Sequence, residues 1–212
     1  MSRKPIPEFD LNAFGGPFRA ESDRACAVLG AALLDTRLES LYNRRLRNSK
    51  EELLSGNGPL STFSARIRVA GALHWIAEDV RFDLDQIRSI RNEFAHNVDH
   101  ELSFSNQSIA DKCRTLRVAQ VLIDANEQAA SAPHPNLSAE VIRAMGVIYE
   151  PPRQRFEISV EMLAQHLDEL PGESSDYNGP SLKEELWALG SQKGKISATA
   201  TVGLPSSNST HS

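Results

Sequence analysis

An all-α protein, a single helical bundle of five or six helices, is what the chain predicts, and three observations predict it. Apolar residues recur at intervals of three and four through most of residues 19 to 170, the period of one helix face. No stretch alternates apolar and polar residues as a half-buried strand does. Proline and glycine clusters, such as Ser55-Gly56-Asn57-Gly58-Pro59 and Pro151-Pro152, fall between the periodic segments. The 212 residues, 40% hydrophobic and 24% charged, have the make-up of one folded, soluble domain with some chain to spare. A net charge of −5 weighs against a protein that coats nucleic acid, because such domains carry strongly basic surfaces.

Residues 1 to 18 hold three prolines and the Gly15-Gly16 pair and read as an irregular arm. Glu21 and Asp23 then open a proline-free helix reaching about Arg47. Ala27, Ala31, Leu34, Leu38 and Leu41 line its buried face, which Leu29 and Leu33 widen. Arg44, Arg45 and Arg47 at its end read as a solvated terminus, where cations favour the helix dipole. Lys50 to Leu54 makes one further turn before the glycine-rich break. Ser61 is the expected cap of the next helix, with Phe63, Ile67, Ala70, His74 and Ala77 on one line and His74 as a core or boundary histidine.

A third long helix begins near Asp83 and ends near Asn97. It places Leu84, Ile87, Phe94 and Ala95 on one side, with Arg91 among them. Ser105 caps an expected fourth long helix to about Glu127, carrying Ile109, Cys113, Leu116, Ala119 and Ile123. Ser138 to Ile148 reads as a shorter helix. Beyond Pro151-Pro152, Phe156, Val160, Leu163, Leu167 and Leu170 form an amphipathic stripe. The bundle domain is thus 19 to 170. Residues 171 to 212 read as a disordered tail, with Leu182 to Leu189 as a short segment able to order on a partner.

The anomaly is Arg91. A guanidinium that cannot lose its proton is costly to bury alone, so a core position would demand a carboxylate, carbonyls, a ligand or a second chain. Two readings of Arg91, Asn92, Phe94 and His96 follow. In the first they are a structural motif that holds the bundle or a dimer seam together. In the second Arg91 holds a scissile phosphate, His96 moves a proton and Asn92 orients either group during RNA cleavage. On one uninterrupted helix Arg91 and His96 project about 140° apart, so that reading needs an early helix end or two chains.

No phosphate-binding glycine loop, metal-ligand spacing or nucleophile motif is present, and no cofactor or metal is expected. Cys26 and Cys113 read as small buried hydrophobes. No apolar run approaches the roughly 18 residues of a membrane span, and the expected location is cytoplasmic.

Several stretches together resemble the mannitol operon repressor family of bacteria. They are the Arg24 to Leu41 helix, Gly58-Pro59-Leu60-Ser61-Thr62-Phe63-Ser64-Ala65-Arg66-Ile67, Ile87 to His96, and Cys113 to Leu116. The arginine, asparagine, three-residue gap, histidine element also resembles that of the broader HEPN superfamily of helical domains, whose active members are ribonucleases with a site shared across a dimer. The first resemblance implies an all-helical transcriptional regulator that acts through protein contacts, a transcription factor being one such partner, without sequence-specific DNA reading. The second implies a metal-independent ribonuclease of toxin or defence type, the only reading in which RNA is a partner. A homodimer fits both, and a membrane neither.

Overall fold

The structure, a computed structural model, describes residues 9–46, 50–97, 101–131, 138 and 150–172. Eight α-helices and no strand occur among them: α1 (Leu11–Arg19), α2 (Asp23–Arg45), α3 (Lys50–Leu54), α4 (Phe63–Ala72), α5 (Glu78–His96), α6 (Gln107–Arg114), α7 (Arg117–Ser131) and α8 (Pro152–Glu169). The expected all-helical class holds, with eight helices in place of five or six. The expected Ser138 to Ile148 helix and the tail beyond Gly172 lie outside the described residues.

Helix α2 is the spine, packed against α8 on one side and α5 on another. Its approach to α8 depends on Gly30, where a Cβ would lie 3.0 Å from both Phe156 and Val160 and 3.2 Å from Phe18. The α8 stripe is buried as its spacing predicts, from Phe156 through Val160, Leu163 and Leu167 to Leu170. Pro152 occupies the first helical position, where its missing N–H is no loss.

Two of the extra helices come from boundaries that composition hides. The arm is not wholly irregular, because the Asp10 carboxylate accepts from the amides of Asn12 and Ala13 and starts α1. Phe18 then buries against the core, and Pro17, inside the last turn, leaves Ala13 O without its i→i−4 donor. The expected fourth helix is two, broken at Thr115 and Leu116 without glycine or proline. Asp83, fully buried on α5, accepts from the Arg117 amide through Oδ1 and the Val118 amide through Oδ2, both at 2.9 Å. A carboxylate from another helix therefore starts α7, in the role an N-cap residue usually fills locally. Asp83 is not the start of α5, which begins at Glu78.

Helix α4 is capped by Thr62 rather than Ser61, and it stops at Ala72. His74 adopts φ 52°, Trp75 N–H donates to Ala70 O and His74 N–H to Gly71 O, the pair of bonds that closes a Schellman turn. His74 is accordingly exposed, not part of the core line. Trp75, one residue on, turns inward and packs against Tyr42 with Arg45 over its ring.

The basic end of α2 is only partly solvated: Arg44 is exposed, Arg45 is buried, and Arg47 lies outside the described residues. Arg44 donates to the carbonyls of Leu167 and Leu170, and Arg45, buried, donates to Pro171 O. Together they satisfy carbonyls at and just beyond the C-terminus of α8, where cations also suit the dipole.

Two expectations follow. His74→Gly should raise stability by about 1 kcal/mol in thermal or denaturant unfolding, since glycine adopts positive φ without the Cβ penalty. Burial pushes the Asp83 carboxyl up to about 6, against the pull of its two amide donors and Arg117. Because this folded value lies above the unfolded one, its stabilising share is complete below about pH 4 and lost as pH rises through 6. Measured against Asp83→Asn, the wild type should lose up to about 3 kcal/mol of relative stability between pH 4 and 7.

Candidate functional site

Helix α5 carries the Arg91 motif, and its packing decides which residues are available. Val80, Asp83, Leu84, Ile87, Ile90 and Phe94 are buried, while Arg91, Ala95 and His96 are exposed and Asn92 is half-buried. Arg91 is thus not a core residue. The true core line runs through Ile90 and Phe94, and Arg91 follows Ile90 by one step of about 100°, at a flank where a long side chain reaches water. Its guanidinium donates to Asn92 Oδ1 at 3.1 Å. No ion pair involves it among the described residues, whereas Arg81, Arg114, Arg117 and Arg153 on neighbouring surfaces all hold carboxylates.

Phe94 supplies the structural half of the motif. Its ring meets Phe104 at 5.1 Å between centroids, and Phe104 meets Phe156 at 5.0 Å, so one row of aromatics joins α5 to α8. The C-terminus of α5 is closed by neither Asn92 nor His96. Arg24 of α2 donates to Phe94 O and, at 2.8 Å, to Asn97 O. The N-terminal half of α2 therefore runs beside the C-terminal half of α5, antiparallel to it.

His96 is the last residue of an unbroken helix. Arg91 and His96 consequently stay about 140° apart, and one chain does not bring them together on a shared phosphate.

Next to this edge is a charge cluster that motif reading passed over. Arg66 is 4% exposed and binds Asp35 Oδ1 at 2.5 Å, Glu39 Oε2 at 3.0 Å and Leu54 O at 3.2 Å. Tyr42 donates to Arg66 O at 2.8 Å, which ties α2 to α4. Burial raises the Asp35 carboxyl above its usual range, while the Arg66 bond and charge, and less strongly the field of Arg91, pull it back down.

The local sequence explains the glycine that opens the Gly58-Pro59-Leu60-Ser61 stretch. A Cβ on Gly58 would lie 2.3 Å from Glu52 O, so only glycine lets the chain turn there and deliver Arg66 to Asp35.

Sequence reading also misjudged Leu29. It is 44% exposed, Val28 is 37% exposed and Ala32 is exposed, whereas Leu33 is half-buried. Val28, Leu29 and Ala32, flanked by the half-buried Ala25 and the exposed Thr36, lie on the side of α2 opposite its buried face. A helix apolar on both sides was the available signal.

Among the described residues there is no group of three His, Cys, Asp or Glu side chains suited to a metal, and no helix long and apolar enough to cross a membrane. Cys26 and Cys113 are free and fully buried, and burial pushes each thiol up to about 12.

The fold is thus an all-helical bundle that carries its unusual charged residues on open helix faces. The sequence profile of the mannitol repressor family matches residues 43–168, and the chain belongs to that family. A solved structure described as the MtlR-HPr complex from Escherichia coli shares the fold. Its matched chain has a TM-score of 0.52 and 19% identity over 74% of this chain and 99% of its own length. No curated protein matches.

The division of labour within α5 is measurable. Phe94→Ala should cost about 3–5 kcal/mol in denaturant unfolding, as expected for an aromatic core side chain. Arg91→Ala should stay within about 0.5 kcal/mol of wild type, the range of surface substitutions.

Proposed function

We propose that this member of the mannitol repressor family regulates transcription by binding another protein, and that the partner is HPr rather than the transcription factor expected from sequence. The observation that carries the reading is Arg91, a cation in water beside Asn92 with no ion pair among the described residues. Charge of this kind, presented on a rigid helix, gives orientation and on-rate to a protein encounter. The choice of HPr is supported by the solved structure of similar fold, which is described as a complex with HPr.

In this reading Arg91, Asn92 and His96 are contact residues on the outer side of α5, and Phe94 anchors their helix from within. The net charge of −5 fits a protein that does not hold operator DNA by itself.

Calorimetry with purified HPr tests this directly. Binding should be seen, and Arg91→Glu should weaken it at least about tenfold, equivalent to 1.4 kcal/mol, while circular dichroism stays unchanged. Absence of binding by the wild type, or equal affinity of the variant, would overturn the assignment. Tight operator binding with a steep salt dependence would do the same.

A further inference from the structure

Helix α1 lies over charge, and its own sequence gives it little reason to be helical. Gly15, Gly16 and Pro17 stand within its nine residues, and glycine and proline are the poorest helix formers. A helix of that length is marginal alone in water even when its residues favour it. What it touches must therefore hold it.

Its front end rests on an ion pair. The Phe9 amide donates to Asp168 Oδ2 at 2.6 Å, and Arg37 of α2 binds the same oxygen at 3.1 Å with its guanidinium over the Phe9 ring. The rear end makes a second, where Arg19 meets Glu161 Oε2 at 2.5 Å. Glu161 and Asp168 lie seven residues apart on α8, about 10 Å along its axis, so α1 runs antiparallel to α8 from one carboxylate to the other. Between these ends Gly15 lets the two helices come close, since a Cβ there would lie 3.2 Å from Glu161 Oε1. The apolar share falls mainly to Phe18, buried beside Gly30, with the half-buried Phe14 stacked on it at 4.7 Å between centroids.

Beneath α1 are thus a buried arginine, a buried glutamate and a half-buried aspartate. Charged groups regain their hydration when uncovered, which an apolar floor would not do. The hinge is marked as well. Arg153 of α8 donates to Arg19 O and Glu21 O and pairs with Asp23, and Ser22 caps α2 by accepting from the Ala25 amide. Lifting α1 therefore stops at residues 19–22 and leaves the start of α2 intact.

We propose that residues 9–18 form a strap that opens as a unit about this hinge while α2, α5 and α8 stay folded, uncovering Arg37, Glu161 and Asp168 as one charged groove between α2 and α8. Arg19, the more exposed partner of its pair, is the latch. Closed, the strap keeps the groove from other molecules.

Native-state amide hydrogen exchange on the full chain tests this. In the wild type the amides of α1 should exchange at least about tenfold more slowly than in an unstructured peptide and at least about a hundredfold faster than those of α8. Arg19→Ala takes its charge from buried Glu161 only while the strap is closed, so it should speed exchange in α1 at least about tenfold and leave α2 and α5 unchanged. Gly16→Ala should act in the opposite direction and slow exchange in α1 about two- to fivefold, because the added Cβ meets nothing within 4 Å and alanine favours the helix.

Exchange in α1 at the rate of α8 would overturn the proposal, since the helix would then open only when the bundle unfolds. So would α1 rates equal to those of the peptide, rates that either substitution leaves unmoved, or an Arg19→Ala effect spread evenly over α1, α2 and α5.

Discussion

Charged side chains from distant parts of the chain close the helix ends at the centre of this bundle, and the packing of α2, α5, α7 and α8 depends on that arrangement. An α-helix leaves its first four amides and last four carbonyls without internal partners. Asp83 of α5 meets the first amides of α7, Arg24 of α2 meets the last carbonyls of α5, and Arg44 and Arg45 meet those following α8. Arg153 of α8 holds the carbonyls of Arg19 and Glu21 while pairing with Asp23, and Asp23 in turn accepts from the Phe104 amide. The ends of α5, α7 and α8 are therefore completed only when their neighbours are in place, whereas α1 and α4 are started by the local caps Asp10 and Thr62. Secondary and tertiary structure are coupled at the termini as well as through the apolar core.

That coupling explains what could and could not be read beforehand. Periodicity alone located the α8 stripe, most of the α2 core and the all-helical class, because burial on one face leaves a signature every three or four residues. The break between α6 and α7 carries no such mark. It is made by Asp83, more than thirty positions earlier, and no window of local sequence contains both partners. The same is true of Arg45, whose place beside Trp75 and Pro171 makes a basic helix end into a buried capping residue.

Arg91 was misjudged for a different reason. Counting Leu84, Ile87, Phe94 and Ala95 as the apolar side shifted the face towards Arg91, whereas Ile90 is buried and Ala95 is exposed. One small alanine weighed as heavily as an isoleucine, although burial follows apolar area. Arg91 therefore reaches water and not, as its place among Leu84, Ile87 and Phe94 suggested, the core. Leu29 shows the converse error, a large side chain assumed to point inward because its neighbours do. Family membership was legible from the Gly58 to Ile67 and Ile87 to His96 stretches, and Gly58 and Phe94 now have physical reasons for being there.

The two sides of α5 answer to separate demands. Its inner side is fixed by an aromatic row and the donors of Arg24, whereas Arg91, Asn92 and His96 contribute little to holding the helices together. Mutational drift at those outer positions leaves folding nearly untouched. The scaffold therefore places little folding constraint of its own on what those outer positions carry, and the bundle keeps its architecture while they vary.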